Sequence, residues 1–319
     1  MPTEQVDFQI KLREFVIGDI PAIAAIRNAS IEISPDFYSM TVDRFRYDFY
    51  GADTPLTSRI VVAEVKNKAA GFYHLYTDEH LLARGRSNLD AIHVVEDVRG
   101  QGVGAALVKS ALETAKNWGA TYVSTAVPES SPRSLEFLER HGFDRARRFD
   151  MLRLPITSPV APPPPPNNFT LRTFQAGDEA AFVTAFNAAF ADHWDFIPLK
   201  APEIQEWNQR AAFDPAGCFL LIDNDTKKVA AFCTVLHHAD SAQSGTKPIG
   251  RIFEMGVVPE LRRQGLGYLV LQAGLSYASE HGFEAIDLIT DSQSDAGQKL
   301  YAKVGFTERR ASIVLHHPL

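Results

Sequence analysis

Cysteine is almost absent from this 319-residue sequence, which contains only Cys218 and Cys233. Two cysteines are too few for the disulfide framework of a small secreted domain, and they fit a reducing cytoplasm. Both lie in apolar, strand-like runs, so we interpret them as core residues rather than as a nucleophile or metal ligands. The histidine pairs at 237–238 and 316–317 also lack further ligands at metal spacing, and we therefore predict no metal site.

Three other features are missing: an apolar run of membrane length, a leader and an excess of positive charge. No stretch is long and apolar enough for a transmembrane helix, and the polar residues 1–7 show no signal-peptide pattern. The net charge of −7 argues against non-specific binding to nucleic acid or to an anionic membrane. The sequence therefore predicts a cytoplasmic protein without nucleic-acid or membrane partners.

One segment occurs twice, at residues 92–105 and 255–268, and both copies contain the pattern Arg-x-x-Gly-x-Gly. A strand-like run precedes the pattern, and a segment with helical spacing follows it. Glycines at such a junction let the backbone approach a ligand closely. The N–H groups of the first helical turn and the helix dipole suit a phosphate or pyrophosphate. The arginine of each copy, Arg99 or Arg262, adds a fixed positive charge.

This pattern differs from two other phosphate-binding motifs. No Gly-Lys-Ser/Thr follows it, which excludes a Walker loop, and it lacks the Gly-x-Gly-x-x-Gly spacing of dinucleotide-binding folds. A single copy would fit a helix-start loop that binds nothing equally well. Two copies in the same strand-loop-helix context favour a phosphate site.

The repeat covers a whole domain. The pattern Arg-x-x-x-x-Gly-Asp begins at Arg13 and recurs at Arg172, an offset of 159 residues, and the two glycine patterns lie 163 residues apart. A period of this length indicates a tandem duplication rather than a solenoid. We predict domains at residues 1–157 and 169–319, joined by a Pro-rich linker at 158–168 that acts as a spacer.

Apolar periodicity predicts the same order of elements in both halves: strand, helix, two strands, the strand before the glycine pattern, a long helix, a strand, a shorter helix and a last strand. The fold class is α/β (α+β). We expect residues 143–154 to complete the first sheet and residues 308–315 the second.

Each half resembles the GNAT superfamily of N-acetyltransferases. The resemblance rests on the opening Leu-Arg…Gly-Asp, on the glycine pattern after Pro-Glu-Leu at 259–261 or Glu-Asp-Val at 96–98, and on the closing segments 135–143 and 300–306 that end in Gly-Phe. It implies two tandem domains, each a mixed, mostly antiparallel splayed sheet flanked by helices. The tandem arrangement is similar to that of mycothiol synthase and of some antibiotic or peptide acetyltransferases.

The resemblance also implies that acetyl-CoA lies in the splay of the sheet as co-substrate. The backbone of Met255, Gly256 and Val257 would pair with the pantetheine and the thioester. The pyrophosphate would bind at Arg262, Arg263, Gln264, Gly265, Leu266, Gly267 and Tyr268. The equivalent residues of the first half are Ile92, His93, Val94, Arg99, Gly100, Gln101, Gly102, Val103, Gly104 and Ala105.

In this family a primary amine attacks the thioester directly, in a ternary complex. A lysine-like amine is neutral in only about one molecule in 2,500 at pH 7, so a general base is needed. Backbone N–H groups steady the oxyanion, and a tyrosine on the last helix protonates the leaving thiolate. Tyr301 holds that position, although a purely packing role is the alternative. Leu138 holds it in the first half and has no proton to give, so we predict catalysis in the second half.

The general base is open on the sequence alone. Many members carry a glutamate on the strand before the glycine pattern, at the place of Arg251. Glu254 is the only carboxylate on this strand, and a shift of three residues changes the face of a strand. Glu254 is therefore either the base or a structural partner of Arg251, with Asp291 in reserve. In the first half His93 is either a base or a structural residue.

A second hypothesis is a non-catalytic sensor or scaffold that binds acyl-CoA. Leu138 favours it, as do Ser131 and Ser294, which stand near the place of a family asparagine. The acceptor is a small-molecule or peptide amine, recognised by residues 31–50 and 192–215. The latter contain Asp192, Trp194, Asp195, Phe196, Glu206 and Trp207, which either receive a cationic amine or form a packed helix pair. A monomer acting as a pseudo-dimer and a homodimer both remain open.

Overall fold

We describe residues 9–30, 57–207, 213–237 and 248–319 of a computed structural model of the chain. The chain divides into two compact units. The first comprises Met1–Arg147 together with Ser312–Leu319, and the second comprises Arg148–Ala311. No helix within the described ranges is both long and apolar enough to cross a membrane.

The first half contributes six strands and four α-helices within the described residues. In chain order they are β1 (Ile10–Glu14), α1 (Ile20–Ser30), β2 (Thr57–Val65), β3 (Lys68–Thr77), α2 (Glu79–Leu82), β4 (Arg86–Val94), α3 (Val103–Asn117), β5 (Tyr122–Pro128), α4 (Pro132–Arg140) and β6 (Asp144–Pro155). Lys66 and Asn67 have φ values of 52° and 58°, which the tight hairpin turn between β2 and β3 requires.

The second half repeats this order. Its elements are β7 (Phe169–Thr173), α5 (Glu179–Phe190), α6 (Ala201–Trp207), β8 (Phe213–Asp223), β9 (Val229–His237), β10 (Ile249–Val257), α7 (Leu266–Glu280), β11 (Ala285–Asp291), α8 (Asp295–Val304) and β12 (Thr307–Pro318). The predicted mixed α/β fold with two repeats is confirmed.

Each unit contains a six-stranded sheet with one parallel pair. In the first unit the order is β1-β2-β3-β4-β5-β12, and β4 runs parallel to β5. In the second unit the order is β7-β8-β9-β10-β11-β6, and β10 runs parallel to β11. The other described pairs within these two sheets are antiparallel.

The last strand of each sheet differs from our expectation. Residues 149–155 of β6 pair with β11 in the second unit, and residues 312–318 of β12 pair with β5 in the first unit. The two halves therefore exchange their final strands, and the chain passes from one unit to the other at residue 147 instead of at the Pro-rich segment. Period-two alternation identifies a strand but does not say which neighbour it will pair with.

The Pro-rich segment lies along the second unit. Ile156 N–H donates to the carbonyl of Glu284 at 2.8 Å, and Asn224 N–H donates to the carbonyl of Asn168 at 2.8 Å. Val160 packs against the apolar core of this unit. The segment predicted to be a spacer is therefore anchored at both ends and in the middle.

The repeated Arg-x-x-x-x-Gly-Asp pattern forms the same ion pair in both units. Arg13 binds both carboxylate oxygens of Asp19, at 2.7 and 2.8 Å, and Arg172 binds both oxygens of Asp178, at 2.6 and 2.7 Å. The arginine lies on the first strand of its half and the aspartate at the start of the helix that follows. A two-point guanidinium–carboxylate contact fixes this turn in direction as well as distance.

Candidate active site

The parallel strands β10 and β11 pair along only part of their length. Their register runs from Ile249 opposite Ala285 to Ile252 opposite Leu288 and ends there. Beyond this point Met255, Gly256 and Val257 pair only with β9. Their other backbone edge faces the opening between β10 and β11, which is where the family resemblance expects the pantetheine and the thioester.

A β-bulge at Phe253 decides which way Glu254 points. Ile252 lies opposite Val235, but Glu254 lies opposite Thr234, so Phe253 has no partner of its own on β9. Residues directly opposite one another in an antiparallel pair share a face. Arg251 lies opposite Leu236, two positions from Thr234, and the bulge therefore places Arg251 and Glu254 on the same face. The change of face expected from their three-residue spacing does not occur.

Glu254 is a partly buried carboxyl group without a counter-ion in contact. Burial raises its pKa from an ordinary 4.5 to about 8, against a smaller opposing effect of the positive charge of Arg251. No ion pair or hydrogen bond joins its side chain to another described residue. The structural pairing with Arg251 that we kept as an alternative is therefore not formed, and the carboxyl group is available as a proton acceptor near pH 8.

Tyr301 lies on α8, which begins after Ser294 and ends at Gly305, a glycine with φ of 104°. Its side chain is 8% exposed. Burial raises the pKa of the hydroxyl well above its usual range, and Cys233 and Glu254 raise it further. The hydroxyl therefore keeps its proton at neutral pH. Within the described residues it donates to no acceptor.

The second glycine loop presents unused backbone donors. Arg263 and Gly265 have φ values of 65° and 82°, and Gly265 precedes the first turn of α7. The N–H groups of residues 263–268 donate to no acceptor among the described residues. Six backbone donors at a helix N-terminus match the chemistry of a pyrophosphate.

The first glycine loop has the same geometry. Gly100 and Gly102 have φ values of 75° and 90°, and Gly102 precedes α3. Gln101 N–H makes a long contact of 3.4 Å with the carbonyl of Val98, whereas Gly100 and residues 102–105 donate to no acceptor in the described ranges. The loop is therefore also suited to a phosphate group.

The arginine of each glycine pattern has its side chain turned back to the strand. Arg99 Nε donates to the carbonyl of Val94 at 3.1 Å, and Arg262 Nε donates to the carbonyl of Val257 at 3.4 Å. Arg262 also donates to Asp192 at 2.8 Å and to the carbonyl of Ala189, at the end of α5, at 2.8 Å. These contacts hold the loop in shape and occupy the guanidinium that we expected to supply charge at the mouth.

The equivalent positions of the first unit carry no acid–base pair. A bulge at Asp90 repeats the one at Phe253, and the residue after it is Ala91. Leu138, at the place of Tyr301, is 1% exposed in the core. His93 lies two residues after Ala91. Burial, together with the positive charge of Arg27, lowers the pKa of its imidazole to about 4. Such a weakly basic imidazole is a poor general base.

The region proposed to recognise the acceptor is described only in part. Residues 31–50 lie outside the described residues, as do the side chains of Glu206 and Trp207. Asp192 is paired with Arg262. Phe196 packs against Phe186 and Phe190, with ring centroids 6.0 and 6.3 Å apart. Asp192 is therefore engaged in an ion pair and Phe196 in aromatic packing.

The remaining candidates are placed as follows. Asp291, the reserve base, accepts a hydrogen bond from Gln293 N–H at 2.9 Å, so its carboxylate is engaged in the turn before α8. Cys218 and Cys233 are buried and unbridged, and burial raises the pKa of Cys218 to about 12. Within the described residues, no three His, Cys, Asp or Glu side chains converge as a metal site would require.

Comparison with known proteins places the chain in a family. The model of the acetyltransferase (GNAT) family matches residues 23–143 and 180–306. The chain belongs to this family and contains two of its domains in tandem.

Relatives across the whole chain agree with this assignment. A mycothiol acetyltransferase from Thermobispora bispora is 33% identical over 308 residues, which cover 94% of this chain and 96% of the relative. Another from Salinispora arenicola is 30% identical over 251 residues and 76% of each chain. The chain is therefore an N-acetyltransferase enzyme with the tandem arrangement expected from its sequence.

Two solved structures share the fold along nearly the whole chain. A GCN5-related N-acetyltransferase from Sphaerobacter thermophilus superposes with a TM-score of 0.76 at 22% identity, covering 97% of this chain and 95% of its own. A tandem GNAT protein from the clavulanic acid biosynthesis pathway has a TM-score of 0.73 at 15% identity, covering 97% and 98%. At these identities the likeness concerns the fold alone.

Proposed function

We propose that the second unit transfers an acetyl group from acetyl-CoA to a primary amine by direct attack in a ternary complex. The observation that carries this proposal is that the second unit contains both Glu254, a carboxyl group on β10 at the splay, and Tyr301, a buried tyrosine on the last helix whose pKa this carboxyl group raises. The pKa of Glu254, raised to about 8, is that of a base stronger than an ordinary carboxylate, and the raised pKa of Tyr301 keeps its hydroxyl protonated. Ala91 and Leu138 stand at the equivalent positions of the first unit.

The second unit supplies each element that the reaction needs. The unused N–H groups of residues 263–268 would hold the pyrophosphate of acetyl-CoA. The free backbone edge of residues 255–257 would orient the thioester and donate to its developing oxyanion. Both features fit acetyl-CoA without any side-chain charge from Arg262.

The proton transfers follow from the two titratable groups. Glu254, when ionised, takes the proton of the ammonium, directly or through water, and so produces the neutral nucleophile. The nitrogen then attacks the thioester carbon, and collapse of the adduct breaks the carbon–sulfur bond. Tyr301 donates its proton to the departing thiolate. The second proton that the nitrogen loses as the amide forms passes to Tyr301, directly or through water, so that the hydroxyl is restored and the net proton released remains on Glu254.

The acceptor is proposed from the relatives. Their name, mycothiol acetyltransferase, supports a small-molecule amine as the acceptor for this chain. The unused N–H groups of the first loop support binding of CoA by the first unit as well, without turnover because Ala91 and Leu138 cannot move protons.

Acetylation kinetics with purified full-length chain test the proposal. Release of the CoA thiol would be followed while acetyl-CoA and a panel of amines are varied together. Intersecting double-reciprocal plots are expected for a ternary complex, whereas parallel plots would indicate an acetyl-enzyme and overturn direct attack. Tight binding of acetyl-CoA with no turnover of any amine would favour the sensor or scaffold instead.

A further inference from the structure

Arg251 is a partly buried arginine for which the described residues of the second unit provide no partner. Its Nε is fully buried and makes no hydrogen bond, and no hydrogen bond or ion pair joins any part of its side chain to another described residue. Arginine stays charged in proteins, and an unpaired buried charge is costly. Burial lowers the pKa of Arg251, against the opposing effects of Glu254 and Asp287.

The nearest acid on the sheet is already committed. Asp287 lies opposite Arg251 on β11 and opposite Arg153 on β6. Arg153 binds its two carboxylate oxygens at 2.5 and 2.6 Å. Glu254, with a pKa of about 8, is mostly uncharged at neutral pH. Arg310 has the same charge as Arg251 and lowers its pKa, so it does not compensate the charge of Arg251. Among the described residues, the neighbourhood of Arg251 therefore lacks one negative charge.

The position of Arg251 relates this missing charge to the reaction. Arg251 lies in the last paired stretch of β10 before the splay, and the bulge at Phe253 brings it to the same face as Glu254. Because of the bulge, Arg251 and Glu254 lie opposite residues of β9 that are only two positions apart, a spacing of about 7 Å along the strand. A small molecule can bridge this distance. An acceptor with its amine at Glu254 can thus place a second group at Arg251.

We propose that Arg251 binds an anionic group, a carboxylate or a phosphate, of the amine acceptor. This inference rests on the proposed acetyl transfer in the second unit. It names the substrate class as a compact amine that carries a carboxylate or a phosphate a few bonds from the nitrogen. A guanidinium offers two parallel N–H donors to such a group. Binding would then orient the nitrogen towards Glu254 and supply the missing charge.

Matched pairs of amines test this inference. Acetylation of alanine would be compared with that of alaninamide, and acetylation of glucosamine 6-phosphate with that of glucosamine. The first pair reports on a carboxylate and the second on a phosphate. In at least one pair, the amine with the anionic group is expected to have a kcat/KM about 10-fold or more above that of the amine without it. The reason is that charge-assisted hydrogen bonds to a buried cation are strong.

Substitutions then assign that preference to one residue. Arg251→Gln should bring the ratio of kcat/KM for the anionic amine to that for its neutral partner close to one, chiefly by raising KM for the anionic amine. The ratio is the readout because loss of the Arg251 charge also affects the pKa of Glu254, which alters both rates alike. Arg251→Lys should keep part of the preference, because a lysine retains the charge but loses the two-point geometry. Arg309→Gln, which removes an exposed arginine from β12, is the charge-matched control and should keep the preference. Circular dichroism would verify folding.

Each other outcome is decisive for one of the two proposals. Equal or better acetylation of the neutral amines by the unaltered protein would overturn the role of Arg251 and leave acetyl transfer established. If no amine is acetylated, the proposed function fails. Calorimetric titration with the anionic amines in the presence of CoA then tests the anion-binding role of Arg251 by itself. Binding that is lost in Arg251→Gln supports this role, and absence of binding to the unaltered protein overturns it.

Discussion

Tyr301 holds the place on α8 that Leu138 holds on α4. Each lies four residues before the glycine that ends its helix, Gly305 or Gly142, and each is buried in the core of its unit. The two halves therefore bury a side chain at the same place on the same helix, but only the tyrosine of the second half has a hydroxyl proton to donate. Five predictions concern this asymmetry, the base Glu254 and the glycine loops.

Tyr301→Phe is expected to lower kcat about 100-fold, the usual scale for loss of a positioned proton donor. The ring is retained, so acetyl-CoA should bind with unchanged affinity in calorimetry. Tyr122→Phe removes a tyrosine hydroxyl from the first unit and serves as the control that keeps full activity. A Tyr301→Phe protein with normal kcat would contradict the assignment of the acid.

The pH dependence of the reaction should report Glu254. The base works only when ionised, and its pKa is raised to about 8. With an acceptor whose own pKa lies well above this range, kcat/KM should rise with pH and show an inflection near 8 from the enzyme. Glu254→Gln should lower the rate about 100-fold or more and remove this inflection. Asp291→Asn is the matched control, and a larger loss there would transfer the role to Asp291.

The same group predicts how stability changes with pH. Folded Glu254 holds its proton up to about pH 8, whereas the unfolded chain releases it near 4.5. Between these values unfolding releases a proton, so the contribution of Glu254 to the free energy of unfolding falls as pH rises and levels off above 8. The free energy of unfolding of Glu254→Gln should therefore gain on that of the unaltered protein as the pH rises. The difference between the two proteins should shift by roughly 2–4 kcal/mol in favour of the variant from pH 4.5 to pH 8.5. Urea denaturation at both pH values measures this difference.

The two glycine loops can be separated by charge. Gly102→Glu and Gly265→Glu each put a carboxylate at a helix start that suits a phosphate, and each should weaken acetyl-CoA binding at its own loop about 10-fold or more. Gly282→Glu is the matched control. Gly282 has a similar φ of 71°, open space for a Cβ and a place beyond the end of α7. The Gly282→Glu protein should have the same backbone strain as the two loop variants and should bind acetyl-CoA as the unaltered protein does.

Calorimetry on these variants also counts the sites. Loss of all binding in Gly265→Glu alone would leave the second unit as the cofactor site. A residual site that disappears only in the double variant would show that both loops bind. Loss in the Gly282→Glu control would attribute the effect to misfolding.

Arg262 should act on stability more than on affinity. Its guanidinium donors join the loop to Asp192 and to the end of α5. Arg262→Gln should therefore destabilise the protein by about 1–3 kcal/mol, with a change of less than about threefold in Kd for acetyl-CoA. Arg263→Gln, one residue on and exposed, is the control for charge. A large loss of affinity with unchanged stability would restore the role expected from the sequence.

The sequence by itself determined the repeat, the family and the order of the elements. Periodicity marks helices and strands through burial of one face, and glycines at junctions mark positive φ values, such as that of Gly265. These are local effects. The family resemblance assigned Tyr301 the role of proton donor, and the distance from the helix-ending glycine located Leu138 at the same position in the first half.

Only the tertiary structure decided three other points. Strands β6 and β12 pair with the sheet of the other half, and alternation within a strand carries no information on its partner. Arg262 binds Asp192, seventy residues away, which no local spacing indicates. The bulge at Phe253 is visible only in the pairing with β9. It reverses the face of each residue after it and so brings Glu254, three positions from Arg251, to the same side of the sheet.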